Sequence, residues 1–296
     1  MNNLKVSDVS YEYKNLRALD NISFEVNDGL IGVLGANGAG KSTLMKLITT
    51  LYKLQGGSIE LNGLSYDKNL KDIRNSLGYL PQNFEVYDNL TGEEFLQIVA
   101  SLKKGIKGLE RCKHIDEIVN TLNMKKFIGR KIKEYSGGMK QKLGFAQALI
   151  GYPKVIIMDE PTVGLDPEQR NIIRELFPRI SRDRIVFVTT HIVEDIENYC
   201  NYLIVLKDGE LIYKGSKESF IEEVMGLLWE VTFSGEEYVK NLDKLKIIST
   251  IIDGDCFRIR YISKKAEVEN SQNIIPTLQD SYIIHSMKYE NGWNIW

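Results

Sequence analysis

The chain has 296 residues, with 38 Lys and Arg against 40 Asp and Glu, so its net charge is −2. This balance argues against a generally basic nucleic-acid binder. Hydrophobic residues make up 43% of the chain and prolines number only six, which excludes a disordered chain and predicts about two globular domains at this length.

The first predicted elements are strands, and a glycine-rich turn follows them. Residues 4–34 are predicted to form short strands, the last of them a buried apolar run at 30–34. A helix is predicted from Ser42 to Leu51, and further short strands at 58–62 and 78–80. The order strand, glycine loop, helix is the one that a phosphate-binding loop requires.

The middle of the chain is predicted to be helical first and then to alternate between strands and helices. Residues 91–150 carry apolar side chains at helical spacing and are predicted to form a helical insertion. The α/β pattern then returns as strand, helix, strand, helix, strand. The predicted segments are a strand at 155–158, a helix at about 168–181, a strand at 185–190, a helix and a strand at 202–206.

The segment after Gly215 is predicted to be a small separate α+β unit. Asp253-Gly254 is a strong hairpin turn signal. The strands predicted around it are 227–233, 247–252, 256–261 and 282–289.

A glycine-rich motif stands at 35–43, Gly-Ala-Asn-Gly-Ala-Gly-Lys-Ser-Thr, and matches G-x-x-x-x-G-K-[ST]. Its glycines let backbone N–H groups approach phosphate oxygens without a Cβ in the way. Lys41 supplies a positive charge for the β- and γ-phosphates, Ser42 a Mg²⁺ ligand, and Thr43 a contact to a phosphate oxygen. The motif therefore predicts a nucleotide-binding loop, whereas the lack of a glycine at position 43 disfavours a dinucleotide fingerprint.

Two acidic residues, Asp159 and Glu160, end the apolar strand 155–158. A carboxylate at the carboxyl end of a strand beside a phosphate loop can hold Mg²⁺. Because side chains alternate along a strand, the two carboxylates are expected to point differently. We assign Asp159 to the metal and Glu160 to the attacking water as general base. The alternative is a solvated strand end with two surface acids.

The segment Tyr135-Ser136-Gly137-Gly138-Met139 precedes a helical stretch. Ser136 is a plausible N-cap. Its hydroxyl, the glycine backbone and the helix dipole together predict a second anion site. The alternative is a plain helix start after a loop.

These motifs occur in one order with Leu80-Pro81-Gln82, Gly164-Leu165-Asp166 and Thr190-His191. Because the motifs follow one another in this order, the chain resembles the ATP-binding subunit of ABC transporters over about residues 4–215. The resemblance implies an α/β fold: a P-loop ATPase core with an antiparallel β subdomain and a helical insertion at about 84–152. It places the cassette at 1–215 and leaves a small C-terminal α+β appendage at 216–296. It also implies ATP hydrolysis coupled to transport, with ATP and Mg²⁺ as cofactors.

The resemblance implies roles for single residues. Tyr13 is similar to the aromatic residue that stacks on adenine, with Tyr11 as the alternative. Gln82 is similar to the loop glutamine that senses Mg²⁺ and the attacking water. Asp166 resembles the loop acid that crosses the dimer interface, and His191 the switch histidine that contacts the γ-phosphate and orients the catalytic glutamate.

Three sets of site residues follow. The catalytic set is Lys41, Gln82, Glu160 and His191. The metal-binding set is Ser42, Gln82 and Asp159. The nucleotide-binding set is Tyr13, Gly35, Asn37, Gly38, Gly40, Lys41, Ser42, Thr43, Ser136, Gly137, Gly138 and Asp166.

The signature departs from the common L-S-G-G-Q form at both ends. Tyr135 stands for the leucine and Met139 for the glutamine, whereas the Ser and both glycines are kept. We therefore expect ATP to be sandwiched by the signature of a second subunit, with altered side-chain contacts at Met139.

The expected partners follow from what the sequence lacks. No run of about 18–20 apolar residues is present, so no membrane-spanning helix is predicted. The start shows no signal peptide, and three dispersed cysteines fit a reducing cytoplasm. The resemblance implies a separate membrane permease, a second ATP-binding subunit in a homo- or heterodimer, and a peripheral place on the inner face of the cell membrane, without nucleic acid.

The signature wording and the short appendage favour export of a peptide, antibiotic or lipid-like compound. Two alternatives remain: an uptake-type transporter ATPase, and a soluble ABC-superfamily ATPase that acts on ribosomes or nucleic acid.

Overall fold

The computed structural model describes residues 1–241 and 243–291. The chain divides into two compact units, Met1–Lys214 and Gly215–Trp296. Across the described residues, none of the helices combines the length and the apolar character needed to cross a membrane.

Ten strands begin in the first unit. They are β1 (Asn3–Tyr13), β2 (Leu16–Asn27), β3 (Gly29–Leu34), β4 (Gly56–Leu61), β5 (Leu64–Ser65), β6 (Leu77–Leu80), β7 (Val155–Asp159), β8 (Ile185–Thr190), β9 (Tyr202–Lys207) and β10 (Glu210–Ser216). Its helices are α1 (Lys41–Ile48), α2 (Leu70–Asn75), α3 (Gly92–Leu102), α4 (Gly108–Thr121), α5 (Gly137–Leu149), α6 (Pro167–Arg174) and α7 (Phe177–Ile180). Two 3₁₀-helices lie at Ile132–Glu134 and Val193–Asp195.

The strands form two sheets. One has four strands in the order β2-β1-β4-β5, with antiparallel pairing. The other has six strands in the order β10-β9-β3-β8-β7-β6, and its pairs from β9 to β6 are parallel. Every residue of β7 and β8 is buried, as expected for central strands covered on both faces. The predicted α/β fold with an antiparallel β sheet is confirmed.

The segment between β6 and β7 is helical, as predicted. Thr91 and Glu94 form a reciprocal capping box at the start of α3, which satisfies two N-terminal backbone donors. Ser136 caps α5 by accepting from the Met139 backbone N–H at 3.3 Å. Gly78 of β6 lies so close to α5 that a Cβ there would be 1.9 Å from the Ala148 carbonyl oxygen.

Two helices predicted around β8 differ in the structure. The predicted helix at 168–181 is divided into α6 and α7, because Pro178 in the first turn of α7 has no N–H to continue the first helix. The helix predicted between β8 and β9 is only the 3₁₀-helix Val193–Asp195. There, Ile192 N–H bonds to the Thr190 hydroxyl at 2.9 Å instead of to a helical carbonyl.

In the described part of the second unit, residues 215–241 and 243–291, there are a four-stranded sheet and three helices. Its elements are α8 (Lys217–Glu222), β11 (Leu228–Ser234), α9 (Gly235–Asn241), β12 (Ile247–Asp253), β13 (Cys256–Ile262), β14 (Gln272–Asn273) and α10 (Leu278–Asn291). The sheet order is β12-β13-β11-β14, and β12 and β13 form a hairpin in which Asp253 pairs with Cys256. The predicted α+β character is confirmed.

The strand predicted at 282–289 is wrong, because this segment belongs to α10. Between positions 281 and 289 the buried residues are Ser281, Ile284, His285 and Lys288, which lie on one face of a helix. Three of these four residues are polar, so the helical period is hidden in a hydrophobicity pattern. Thr277 and Asp280 exchange hydrogen bonds at its start, and this capping pair was the available signal.

Candidate active site

Three neighbouring strands end at the same edge of the six-stranded sheet. The register pairs Leu34 of β3 with Thr190 of β8, and Asp159 of β7 with Thr189 of β8. Because these strands are parallel, the glycine loop after β3, Glu160 after β7 and His191 after β8 meet there.

The glycine loop leads directly into α1. Gly40 is the N-cap residue and has φ 100°, a conformation that residues with a Cβ rarely adopt. A Cβ at Gly40 would also lie 2.7 Å from the carbonyl oxygen of Ala18. The loop can take this path only with glycine at that position. Its backbone N–H groups then lie at the N-terminus of α1, where anions are favoured.

Lys41 turns its ammonium group back onto the loop. Its Nζ donates to the carbonyl oxygens of Gly35 at 2.6 Å and Ala36 at 3.0 Å, and only 5% of the residue is exposed. Burial lowers the pKa of Lys41, and the nearby carboxylates of Glu160 and Asp159 oppose that shift. The ammonium group is therefore held inside the loop where a phosphate would sit.

Asp159 is held at the end of β7 by hydroxyl groups. Thr189 Oγ1 donates to Asp159 Oδ1 at 2.6 Å, and Ser42 Oγ lies 3.4 Å from the same oxygen. Hydroxyl and carboxylate oxygens are ligands that suit Mg²⁺. The pair Ser42 and Asp159 thus offers the donor chemistry that a magnesium site needs.

Glu160 has a strained backbone and a hydrogen-bonded side chain. Its φ is 53°, which costs a residue with a side chain about 1–2 kcal/mol. Its N–H donates to Thr189 Oγ1 at 2.9 Å. Glu160 Oε2 lies 2.7 Å from His191 Nδ1, and Glu160 Oε1 lies 3.9 Å from Lys41 Nζ. The carboxylate is therefore fixed between an imidazole and an ammonium group.

A cleft of about 630 Å³ opens at this edge of the sheet. The residues from the sequence-based sets that line it are Tyr13, Asn37, Gly38, Gly40, Lys41, Ser42, Thr43, Gln82 and Glu160. Tyr13 OH lies 3.2 Å from Thr43 Oγ1. Tyr11, the alternative aromatic residue, is not among the lining residues and stacks on Tyr52 with ring centroids 5.4 Å apart.

Five residues that the sequence reasoning missed also line this cleft: Leu16, Arg17, Ala18, Asp208 and Gly209. Gly209 N–H donates to the Ala39 carbonyl at 3.3 Å, and the Gly209 carbonyl accepts from Asp20 N–H at 2.8 Å. The β9–β10 turn thus lies against the glycine loop. The pair Asp208-Gly209 is recognisable in the sequence as a turn signal. Nothing in the sequence pattern indicates that this turn contacts Ala39.

The signature lies in a second cleft, of about 270 Å³. Ser136, Gly138, Met139 and Asp166 line it. Asp166 caps α6 by accepting from Gln169 N–H at 2.8 Å. None of these residues lines the first cleft, so within one chain the signature and the glycine loop belong to different clefts.

The unusual Tyr135 of the signature has a clear packing role. Its hydroxyl donates to the carbonyl oxygens of Phe127 at 3.0 Å and Ile128 at 3.2 Å. Leucine could not make these bonds. Tyr135 also packs edge-on against the Phe127 ring with centroids 5.1 Å apart. The substitution therefore joins the signature to the segment after α4.

Known proteins have sequences similar to this chain. A family model described as ABC transporter matches residues 19–163. YxlF, an ABC transporter ATP-binding protein of Bacillus subtilis (strain 168), is 33% identical over 221 residues, which cover 74% of this chain and 73% of YxlF. The chain belongs to the ABC transporter ATP-binding family. BcrA, the bacitracin transport ATP-binding protein of Bacillus licheniformis, is 33% identical over 212 residues, covering 71% of this chain and 68% of BcrA.

A solved structure shows the same fold. The dimeric structure of MJ0796, a bacterial ABC transporter cassette, has a TM-score of 0.65 and 26% identity, and the match covers 72% of this chain and 98% of that cassette. This ABC transporter subunit is accordingly an ATP-binding ATPase, as sequence motifs predicted. ABC ATPases bind ATP and ADP, use Mg²⁺, form dimers and act with membrane permeases.

Proposed function

We propose that this ABC ATPase pairs head to tail with a second ATP-binding subunit around two ATP molecules, and drives a separate membrane permease. The proposal assigns the ATPase to residues 1–215 and the appendage to residues 216–296. The observation that carries it is the separation of the two clefts: the loop of Lys41 lies in one, and the signature residue Ser136 lies in the other.

The two clefts complement each other chemically. The first supplies an ammonium group, loop N–H groups and an aromatic ring at Tyr13, which suit the phosphates and base of a nucleotide. The second supplies the Ser136 hydroxyl at a helix N-terminus, which suits an anion. The glycine loop with Lys41 does not line this second cleft. A second chain that placed its Ser136 cleft over the Lys41 cleft of the first would complete the site.

Mg²⁺ would be held by Ser42 and Asp159, with Gln82 lining the same cleft. When bound, the ion neutralises charge that develops on the phosphate oxygens. This assignment rests on the oxygen donors present and on the 3.4 Å approach of Ser42 Oγ to Asp159 Oδ1.

Hydrolysis would use the residues of the first cleft. Lys41 binds the β- and γ-phosphate oxygens and so leaves the carbonyls that it now contacts. Glu160 accepts the proton of the attacking water as general base. His191, at 2.7 Å from Glu160 Oε2, orients that carboxylate and contacts the γ-phosphate.

The transport direction that we favour is export of a peptide, an antibiotic or a lipid-like compound. The similarity to BcrA, a bacitracin transport ATP-binding protein, supports it. The permease would meet the cassette near Gln82 and the helical insertion, and the chain would lie peripherally on the cytoplasmic face of the cell membrane.

The decisive experiment compares Glu160→Gln with Lys41→Ala. Glu160→Gln should bind ATP normally, form a long-lived ATP-bound dimer and hydrolyse about 10²–10⁴-fold more slowly. Lys41→Ala should lose ATP affinity, because the charge for the phosphates is gone. Glu93→Gln, on an exposed residue at the start of α3, is the matched control and should be unchanged.

The permease is tested by affinity purification of the tagged chain from detergent-solubilised membranes. Recovery of a membrane protein with several spans is expected. Recovery of RNA or ribosomes instead would contradict the transport role.

In the first experiment, a wild-type rate of ATP hydrolysis by Glu160→Gln would contradict the assignment of Glu160 as the general base.

A further inference from the structure

A completely buried carboxylate, Asp195, lies outside the residues assigned above. It ends the 3₁₀-helix Val193–Asp195 after His191, and its exposed fraction is 0%. A buried charge is costly unless it is paired and hydrogen-bonded. Its neighbours therefore show what the carboxylate holds together.

The partners of Asp195 come from three segments of the chain. The Thr162 hydroxyl donates to Oδ2, and Thr190 Oγ1 lies 3.4 Å from the same oxygen. Arg174 donates to Oδ1 through Nε at 3.0 Å and also through Nη2. Both Thr162 and Thr190 are themselves 0% exposed. One carboxylate thus joins two threonines and an arginine in the interior.

Two of these partners stand close in sequence to residues of the proposed reaction, and the third belongs to the helix that Asp166 caps. Thr162 stands two residues after Glu160, and Thr190 directly precedes His191. Arg174 is the last residue of α6, the helix that Asp166 caps. Asp195 therefore connects the segments that carry the base, the switch histidine and the interface acid.

The connection matters because the backbone at Glu160 needs to be held. Glu160 has φ 53°, and such conformations persist only where the surroundings determine them. The bond from Thr162 to Asp195 fixes the chain just beyond that residue. The contact with Thr190 fixes the chain just before His191, so the 2.7 Å contact between the two side chains rests on both.

We propose that Asp195 is a positioning residue that keeps Glu160 and His191 at hydrogen-bond distance and links this pair, through Arg174, to the helix of Asp166. The role rests on the proposed function of Glu160. Asp195 is completely buried and does not line the cleft of Lys41. It acts on the rate of hydrolysis and leaves ATP binding by the Lys41 loop intact.

The first test is Asp195→Asn, which keeps the shape but offers only one acceptor oxygen to donors on two sides. Turnover should fall about 10-fold or more, while KM for ATP stays within about 3-fold, because only the reacting geometry is disturbed. Thr162→Val, which removes a single donor, is the milder second variant and should lose less turnover in the same direction.

The matched control is Asp280→Asn in the second unit. Asp280 is 5% exposed and accepts from Arg260 Nη1 at 3.1 Å and from Thr277 Oγ1 at 2.8 Å. It is therefore also a buried, arginine-paired aspartate, and it is not among the residues that line the nucleotide cleft. Asp280→Asn should lower the urea midpoint of its unit and leave turnover unchanged. Equal losses of turnover in the two variants would overturn the proposal.

The second test combines Asp195→Asn with Glu160→Gln in single-turnover assays. If Asp195 acts through Glu160, adding its substitution to Glu160→Gln should slow hydrolysis by less than about 2-fold, because coupled residues are non-additive. If the double variant instead lost the product of the two single-variant losses, the positioning role of Asp195 would be overturned, and the base assignment of Glu160 would stand. A wild-type rate in Glu160→Gln itself would overturn the proposed base, so the two failures are distinguishable.

Discussion

His191 Nδ1 lies 2.7 Å from Glu160 Oε2, and the two residues differ sharply in exposure: the glutamate side chain is 6% exposed and the histidine side chain 43%. The imidazole therefore covers a carboxylate that has little other access to water. The opposite oxygen, Oε1, lies 3.9 Å from Lys41 Nζ. We propose that in this arrangement His191 determines which way the glutamate faces the cleft.

The first prediction concerns that contact. In His191→Ala the carboxylate loses its orienting partner, so hydrolysis should fall about 10²-fold. ATP affinity should change by less than about 3-fold, because the phosphate loop is untouched. Steady-state ATPase rates and ATP titrations of the same preparations measure both quantities.

His191→Asn is the informative companion, since the asparagine amide nitrogen can take a place near that of Nδ1 and donate to Glu160. It should retain more activity than the alanine variant. An alanine variant with a normal rate would show that Glu160 keeps its orientation without the imidazole.

Local motifs account for the part of the site that could be predicted from sequence. The loop at 35–43, the acids at 159–160 and the N-cap at Ser136 each depend on neighbours within a few residues, and those neighbours are visible in the sequence. The joint position of the loop and the two acids at one sheet edge follows from the parallel order of β3, β8 and β7.

The parts that were missed depend on distant contacts. Asp195 is paired in the interior with Thr162 and Arg174, 33 and 21 residues earlier, which donate to it. The β9–β10 turn at Gly209 joins the cleft through a bond to Ala39. In α10, buried polar side chains such as His285 replace the apolar residues that mark a helix face. A hydrophobicity pattern carries none of these relationships.

The second prediction separates two tyrosines that are two residues apart. Tyr13 is 36% exposed and lines the nucleotide cleft, and its hydroxyl meets Thr43. Tyr13→Ala should weaken ATP binding about 10-fold, because it removes an aromatic face for the base. Tyr13→Phe should keep most of the affinity, since the ring remains. Equilibrium titration with a fluorescent ATP analogue, competed by ATP, measures the difference.

Tyr11→Ala is the control for that experiment. Its ring stacks on Tyr52 and packs against the buried core. The substitution should lower the free energy of unfolding by about 1–3 kcal/mol and leave ATP affinity within about 3-fold. The reverse pattern would make Tyr11 the base-stacking residue.

The third prediction is a pH dependence of the second unit. Burial lowers the pKa of His285 from 6.5 to about 4; the hydrogen bond with the Phe220 carbonyl opposes this shift, and the charge of Lys288 adds to it. The folded unit therefore keeps the imidazole neutral, whereas the unfolded chain takes up a proton below about pH 6.5. Stability should fall as pH decreases from about 6.5 to 4, by at most roughly 3 kcal/mol.

Tryptophan fluorescence during urea unfolding measures this effect selectively, because all three tryptophans of the chain stand at position 229 or later. Carboxyl groups also titrate in this range, so the comparison is between wild type and His285→Gln. The variant should show a smaller decrease of the urea midpoint between pH 7 and pH 4.5. Parallel decreases in both proteins would mean that His285 is not the group responsible.

The fourth prediction tests the head-to-tail pairing of two copies with mixed subunits. A chain with Lys41→Ala has a damaged loop and an intact signature, and a chain with Ser136→Arg has the reverse. Each alone should be inactive, because every composite site in its dimers contains one damaged half. In an equimolar mixture about half of the dimers are mixed, and each of these has one intact site of two, so about one quarter of the wild-type rate should return.

Sites built within single chains would give no recovery, because each chain carries a damaged half of its own. A mixture of Lys41→Ala with a chain that carries both substitutions contains no intact combination and is the matched control. Recovery in the first mixture alone therefore assigns the Lys41 cleft and the Ser136 cleft of one ATP site to different subunits.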